Sequence, residues 1–229
     1  MAETTLEEFL QPISAALGHE AVPEQPSGAY NPSKGLARDE WAQLSRDELV
    51  QRFVAEGQLI SLATTVVAPE ELAGAVVAQA RAFGGSTVVY ADDAQADACG
   101  LPAALQSAGL TATRWDASQG RQMVDIAAAA DVGVCFPFAA IARTATVAIA
   151  CDEHCGRAVS LLPPSSIAVV PASRIVPQMV DVLERVEQEG VLPSSIVFST
   201  GPSATSDIEL VRVVGVHGPV DSAVIIVED

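Results

Sequence analysis

The stretch of the chain richest in chemically active residues lies close to its C-terminus. Residues 201–219 read GPSATSDIELVRVVGVHGP and contain hydroxyl, carboxylate and imidazole side chains among glycines and prolines. Hydroxyl groups and free backbone N–H groups bind anions, whereas imidazole and carboxylate groups transfer protons. The sequence therefore predicts a site where a small anionic ligand lies beside a proton-transferring group.

We expect the first residues of this stretch to hold the anion. Gly201 and Pro202 allow a sharp exit from the preceding strand. Ser203 and Thr205 then place hydroxyl groups near the first turn of a helix that we predict over SDIELVRVV, residues 206–214. Unpaired N–H groups at a helix N-terminus favour an anion, so these residues are candidate ligand-binding residues.

Asp207 and Glu209 are candidate catalytic carboxylates, and each also has a structural interpretation. Ser206 and Glu209 match the S-x-x-E spacing of a capping box. Asp207 in the first helical turn would be favoured by the helix dipole. Side chains two positions apart on a helix point in different directions, so both carboxylates would not face one site. Catalysis and helix capping both remain open for these residues.

His217 is the candidate general acid or base of the predicted site. It lies between Gly215, which could end the predicted helix in a left-handed conformation, and Gly218-Pro219, which could turn the chain into a last strand. Gly218 would allow close approach of the backbone to a ligand, and imidazole titrates near neutral pH. The alternative is a histidine in a turn that only faces solvent.

Other candidate residues lie in loops that follow predicted strands. Arg143, Arg157 and Arg174 are natural partners for a carboxylate or phosphate in a chain with 29 acidic and 12 basic residues, and surface ion pairs are the alternative. The stretch CDEHC, from Cys151 to Cys155, lacks the C-x-x-C spacing and a second nearby Cys/His pair typical of metal sites. We therefore expect free thiols and no bound metal.

Composition restricts the class of protein. The 229 residues carry a net charge of −17, which repels phosphate backbones, so we expect no nucleic-acid partner. No apolar run reaches the length of a membrane span, and MAETTLEEFL lacks the basic start of a signal peptide. These features predict a cytoplasmic protein.

The elements that must position these residues alternate along the chain. From residue 39 to 229, short apolar strands alternate with Ala-rich helices, which predicts an α/β fold with a mainly parallel open sheet and helices on both faces. Residues 1–38 predict an N-terminal helical arm, with Thr5 and Glu8 as its capping box, followed by a linker rich in Pro and Gly. The arm could support a homo-oligomer or stay solvated.

The chain resembles the lactate-utilisation (LUD) domain family from about residue 40 to its end, most clearly over residues 129–229. The resemblance rests on TGPSATSDIELVRVVGVHGP, ADVGVCFPFAAIARTATVAIA, GRAVSLLPPSSIAVVPASRIV and VIIVED. It implies a NagB/RpiA/CoA-transferase-like fold and a role in oxidising L-lactate to pyruvate beside partner subunits that carry iron–sulfur clusters, with no cofactor bound by this chain itself. The matching positions are Thr144, the segment 157–163, Gly201, Pro202, Ser203, Asp207, Ile208, Glu209, Gly215, His217, Gly218 and Pro219.

Three departures from the family pattern fall in or beside these positions. The family often has Ala-Glu-Thr-Gly where this chain has Ala142-Arg143-Thr144-Ala145, and Ala204 and Ser206 also differ. The resemblance thus predicts a component of an L-lactate utilisation system that binds a small anionic metabolite at residues 201–219. The alternative is a stand-alone enzyme similar to CoA transferases or sugar-phosphate isomerases, with Asp207 or Glu209 as its reactive carboxylate.

Overall fold

A computed structural model of the chain describes residues 5–16, 18, 40–189, 193–206 and 212–229. The chain divides into two units, Met1–Arg38 and Asp39–Asp229. In the first unit, helix α1 spans Leu6–Ala16. The capping box predicted at its start is confirmed, because Glu8 N donates to Thr5 Oγ1 at 3.2 Å and Thr5 N donates to Glu8 Oε2 at 2.8 Å.

The second unit combines a large parallel sheet with a smaller mixed sheet and a two-stranded ribbon. Its strands are β1 (Ala63–Val67), β2 (Thr87–Tyr90), β3 (Thr111–Arg114), β4 (Val132–Cys135), β5 (Ala139–Ile141), β6 (Thr146–Cys151), β7 (Ser165–Pro171), β8 (Ile175–Val176), β9 (Ser195–Thr200), β10 (Ala204–Ser206), β11 (Arg212–Val214) and β12 (Asp221–Val227). Its α-helices are α2 (Arg46–Leu59), α3 (Leu72–Ala82), α4 (Ala94–Ala98), α5 (Leu101–Ser107), α6 (Arg121–Ala129), α7 (Arg157–Leu161) and α8 (Met179–Glu189).

The large sheet has the strand order β1-β12-β7-β4-β2-β3, and every neighbouring pair is parallel. Apolar side chains on both sides of the four inner strands β12, β7, β4 and β2 are buried, as is typical of parallel sheets. Helices α3, α4 and α5 cover one face of the sheet. The other face packs against α6 and α7 near β2, and against α2 and the smaller sheet near β12. The predicted α/β fold with a mainly parallel sheet and helices on both faces is confirmed.

The smaller sheet was not predicted as a separate layer. Its order is β8-β5-β6-β9, with β6 antiparallel to both β5 and β9. Helix α8 covers its outer face, where Val182 packs against Ile141 and Ala148. Both β6 and β9 have the apolar character of parallel core strands, and β6 is buried whereas β9 is partly buried. Their pairing direction depends on long-range contacts that a strand pattern does not encode.

Residues 204–214 correct the predicted helix. Ala204–Ser206 and Arg212–Val214 form an antiparallel ribbon in which Thr205 pairs with Val213. Ser206 therefore lies in a strand and not in the predicted helix, and the capping box proposed for Ser206 and Glu209 stays a prediction because Glu209 lies outside the described residues. Thr and Val are β-branched residues that favour a strand over a helix. Asp207 and Glu209 lie outside the described residues.

Asp131 fastens the amino ends of β2 and β4 to each other. Its Oδ2 accepts hydrogen bonds from the N–H groups of Ser86 and Thr87, both at 2.8 Å, and from their hydroxyl groups at 2.9 and 2.8 Å. These bonds, the one from Ser86 N–H first, lower the pKa of Asp131 to about 2. The carboxylate form is thus strongly favoured in the folded state.

We expect Asp131→Asn to lower the free energy of unfolding by about 2 kcal/mol at pH 7, because charge-assisted hydrogen bonds are lost. Since the folded pKa lies below the unfolded value, the stabilisation is present above about pH 4 and is lost as pH falls towards 2. Urea unfolding of both proteins between pH 2 and 7 measures this. A stability difference that does not shrink in acid would contradict the assignment.

Candidate functional site

Two cavities lie beyond the carboxyl ends of β2, β3 and β4. In the large sheet the chain runs from β2 to the edge strand β3 and then returns to β4 on the other side of β2, so the switch point lies between β2 and β4. Ligands of open α/β sheets bind in the crevice at such a switch point. The outer cleft has a volume of about 540 Å³ and the inner cavity about 160 Å³, and both are lined by Asp92 and His154.

An Asp–His pair forms the boundary between the two cavities. Nδ1 of His154 lies 3.1 Å from Oδ2 of Asp92, which follows β2 directly. The backbone N–H of Asp92 also donates to the carbonyl oxygen of His154 at 2.9 Å, so main chain and side chain are both fixed. Such a pair orients the imidazole for proton transfer through Nε2, which lies 3.7 Å from Oε1 of Glu153 at the outer cleft.

Arg114, at the end of β3, binds the aspartate of this pair. Its Nη1 donates to Oδ1 of Asp92 at 2.9 Å, and the guanidinium also binds both oxygens of Asp97. The hydrogen bond from His154, followed by that from Arg114, lowers the pKa of Asp92. The Asp92 carboxylate in turn raises the pKa of His154, and Asp97 raises that of Arg114. The imidazolium form of His154 is therefore favoured more than in an isolated histidine.

A tight turn after β6 presents His154 to the cavities. Oδ1 of Asp152 accepts hydrogen bonds from the backbone N–H groups of His154 at 2.8 Å and Cys155 at 3.0 Å. An aspartate that binds N–H groups two and three residues further along the chain is a typical turn former. The CDEHC stretch is therefore a turn whose function is to position the histidine.

The inner cavity combines apolar walls with a cation. Phe136, Phe138 and Ala150 line it together with Arg174. Nη1 of Arg174 donates to the carbonyl oxygen of Pro137 at 3.2 Å. Within the part of the chain that the structure describes, no carboxylate pairs with this guanidinium. A cation without a counter-ion beside apolar walls is suited to a small carboxylate.

The outer cleft is walled by Trp115 and the polar loop that follows it. Asp116 holds this loop by accepting hydrogen bonds from the N–H and hydroxyl groups of Ser118 and from the amide of Gln119. Trp115 is only 8% exposed, and its Nε1 has no hydrogen-bond partner among the described residues. Its ring fits against Gly156 so closely that a Cβ there would lie 2.1 Å from Cζ2.

Several residues of the sequence-predicted site do lie together, but at the opposite ends of the strands from the two cavities. The backbone N–H of His217 donates to Oγ of Ser203 at 3.2 Å, and Ser203 N–H donates to the carbonyl oxygen of Pro219. An ideal Cβ on Gly218 would lie 3.5 Å from Cβ of Ser203. Asp221 then begins β12, so these loops lie at the amino ends of the parallel strands.

Thr144 lies on the same side as these loops, whereas Arg157 does not. Hydroxyl groups of Thr144, Thr146 and Thr200 form a chain with 2.7 Å between successive oxygens, and Thr200 precedes Gly201. Arg157 begins α7 directly after Gly156, beside the outer cleft. Strand β6 separates the two regions by about 16 Å, since six residues span that length. The predicted ligand-binding residues are therefore divided between two places.

The sequence contained signals for the site that we did not use. Asp92 follows a predicted strand in YADD, and Arg114 lies at the end of another in TATRWD. The rule that ligands bind beyond the carboxyl ends of strands would have selected both residues. Arg174 is predicted from the sequence as a possible partner for a carboxylate or phosphate, whereas the density of polar residues near the C-terminus favours residues 201–219 as the site.

The cysteines are free thiols with weak reactivity. Burial raises the pKa of Cys155, which lines the inner cavity, to about 12, and burial raises the pKa of Cys135 well above its usual value. Across the described residues, no group of three or more His, Cys, Asp or Glu side chains is placed to hold a metal ion. None of the described helices has the length and apolar character needed to cross a bilayer.

Comparison with known proteins identifies close similarity in sequence. The model of the LUD domain family matches residues 45–227. The chain is 37% identical to lactate utilization protein C of Geobacillus thermodenitrificans, covering 96% of this chain and 95% of that protein. It is 34% identical to lactate utilization protein C of Bacillus subtilis, covering 97% and 96% respectively.

A solved structure supports the fold. A DUF162 family protein from Deinococcus radiodurans superimposes with a TM-score of 0.55 and 25% sequence identity, covering 80% of this chain and 99% of that one.

Proposed function

Because this chain belongs to the LUD domain family, we propose that it is a component of an L-lactate utilisation system. We further propose that its inner cavity binds the small carboxylate on which that system acts. The names of its relatives support the first statement. The observation that carries the second is Arg174, a guanidinium that lines a small, partly apolar cavity and has no carboxylate partner among the described residues.

The cavity suits a small carboxylate in size, and its lining combines aromatic rings and the Arg174 guanidinium with three carboxylates that hydrogen bonds already hold. At about 160 Å³ it holds a few non-hydrogen atoms beyond a single water, whose share of liquid volume is about 30 Å³. The carboxylate would accept hydrogen bonds from Arg174, with its apolar part against Phe136 and Phe138. Nε2 of His154 would donate to, or accept from, an oxygen substituent of the ligand.

Binding is expected to weaken as pH rises through the folded pKa of His154. Asp92 raises that pKa above the ordinary value, so the imidazolium form persists to higher pH than in an isolated histidine. The positive charge of His154, which lines the same cavity as Arg174, is therefore present below the ordinary histidine pKa and is lost as pH rises through the raised folded pKa. The same protonation stabilises the folded state below about pH 6.5, and this contribution disappears above the folded pKa.

The direct test is calorimetric titration of the purified protein with sodium lactate and sodium pyruvate. We expect Arg174→Gln to weaken binding at least about 50-fold, because a charge-assisted bidentate contact is lost and the cavity keeps its shape. Arg121→Gln is the matched control, since Arg121 is exposed and its ion pair among the described residues is with Asp125 on the surface of α6. It should bind like the unchanged protein. Equal affinity of Arg174→Gln and the unchanged protein for these ligands would show that the inner cavity does not bind them.

The loops at 201–219 are the second candidate site, supported by the contact between Ser203 and His217. In this proposal Gly201, Pro202, Ser203, Thr205 and Gly218 surround an anion, and His217 exchanges a proton with it. His217→Ala tests it in the same titration. If His217→Ala loses binding and Arg174→Gln does not, the ligand belongs to these loops.

We also propose that the electrons from lactate pass to partner subunits that carry iron–sulfur clusters. The proposal rests on the resemblance to the LUD family and on the thiols of this chain, whose raised pKa values disfavour cluster ligation by thiolate. Copurification of this chain with cluster-bearing proteins from lactate-grown cells would support it. If the purified chain alone converted lactate, a CoA ester or a sugar phosphate, the stand-alone enzyme would replace it.

A further inference from the structure

Arg185 occupies an unusual position behind the aromatic wall of the inner cavity. It lies on α8, and its Cζ is 5.7 Å from the centroid of the Phe138 ring. Its Nη1 is buried and has no hydrogen-bond partner among the described residues. Phe138 lines the cavity, whereas Arg185 is not among the residues that line it. Arg185 therefore contacts a residue of the cavity lining without lining the cavity itself.

The groups that line the inner cavity include more carboxylates than cationic groups, so a further cation would favour binding of an anion. Three carboxylates line it, Asp92, Asp93 and Asp152, against two cationic groups, Arg174 and protonated His154. Hydrogen bonds hold each carboxylate, but their negative charge still opposes an anionic ligand.

The Phe138 ring adds to this opposition. The face of an aromatic ring is the negative side of its quadrupole, so it repels a carboxylate. A cation stacked on the ring counteracts this negative potential. Because Nη1 of Arg185 is buried and unpaired, its charge is screened less than that of a surface arginine.

We propose that Arg185 is a positioning residue whose charge, acting through the Phe138 ring, makes the inner cavity accept an anion. This inference rests on the proposed carboxylate site and adds a residue that never touches the ligand. It also gives a role to a guanidinium that lies on a ring and whose buried Nη1 has no hydrogen-bond partner among the described residues. Its effect is specific to charge, since a neutral ligand of the same shape gains nothing from it.

The test compares Arg185→Met, which keeps the apolar stem, with Arg185→Lys, which keeps the charge. Titration with sodium lactate and with neutral lactamide separates charge from shape. We expect Arg185→Met to bind lactate about fivefold more weakly and lactamide as before, and Arg185→Lys to stay within about twofold for both. Equal weakening towards both ligands would show a packing role and would overturn the inference.

A second measurement does not depend on a ligand. The pKa of His154, followed by NMR in the free protein, reports the potential inside the cavity. Removing a nearby positive charge should raise it in Arg185→Met and not in Arg185→Lys. If Arg174→Gln loses lactate while Arg185→Met changes neither affinity nor this pKa, only the inference about Arg185 fails. If the unchanged protein binds no lactate, the proposed ligand fails, and the His154 titration still decides the role of Arg185.

Discussion

Gly133→Ala is expected to lower the free energy of unfolding by about 3 kcal/mol or more, or to prevent folding. Gly133 lies in β4, in the middle of the large sheet, where α7 crosses it. A Cβ at this position would lie 1.9 Å from the carbonyl oxygen of Val159 and 3.2 Å from Cγ of Pro163. A rigid backbone atom cannot move aside as a side chain would, so helix and strand must separate.

Gly74→Ala is the matched control for this prediction. Gly74 lies in α3, where an added Cβ meets nothing within 4 Å. Alanine has a higher helix propensity than glycine, so this variant should be more stable by about 0.5–1 kcal/mol. Chemical denaturation of both variants gives the comparison. A Gly133→Ala protein as stable as the unchanged one would mean that α7 does not pack on β4 as closely as described.

The contact at Gly133 also illustrates how much of the fold the sequence could supply. The stretch VGVCFPF predicted a buried strand, and that strand is β4. Alternation of apolar strands and helices likewise predicted the parallel sheet, because local periodicity follows directly from burial. Nothing local stated that Gly133 would face a helix that begins 24 residues later, at Arg157. Close approaches of this kind depend on the packing of distant segments.

In the ribbon of β10 and β11, a local sequence pattern predicted the wrong secondary structure. Polar residues after Gly-Pro-Ser match helix-start chemistry, so a helix was predicted over residues 206–214. Pairing with a second strand lets Thr205 and Val213 take the extended conformation that their branched side chains prefer. Capping patterns are short and recur in turns and strands, so they specify less than a pairing between segments.

The site was only partly predictable for a related reason. Each member of the network around His154 is ordinary in sequence: one aspartate after β2, one arginine at the end of β3, and one histidine in a turn after β6. Their side chains meet only because three strands end at the same place. The polar residues near the C-terminus are closely spaced in sequence and therefore predicted the site. Close spacing in sequence does not show that side chains lie close together in the folded protein.

Gly156→Ala is expected to have the largest effect on the outer cleft. The added Cβ would lie 2.1 Å from Cζ2, 2.5 Å from Cη2 and 2.7 Å from Cε2 of Trp115, all atoms of one rigid ring system. The backbone of Gly156, with φ −67° and ψ 147°, is one that alanine adopts without strain. Displacement of the indole therefore accounts for the expected loss of about 3 kcal/mol in the free energy of unfolding.

A double-mutant cycle with Trp115→Leu isolates that clash. Leucine lacks the ring atoms that meet the new methyl group, and the indole Nε1 makes no hydrogen bond with the described residues that would be lost with it. In the Trp115→Leu background, Gly156→Ala should cost no more than about 1 kcal/mol, the usual penalty for alanine at a helix N-cap. The two substitutions would then be coupled by about 2 kcal/mol. Additive effects would show that the clash with Trp115 does not cause the loss of stability. The cost of Gly156→Ala would then come from the backbone at the start of α7 alone.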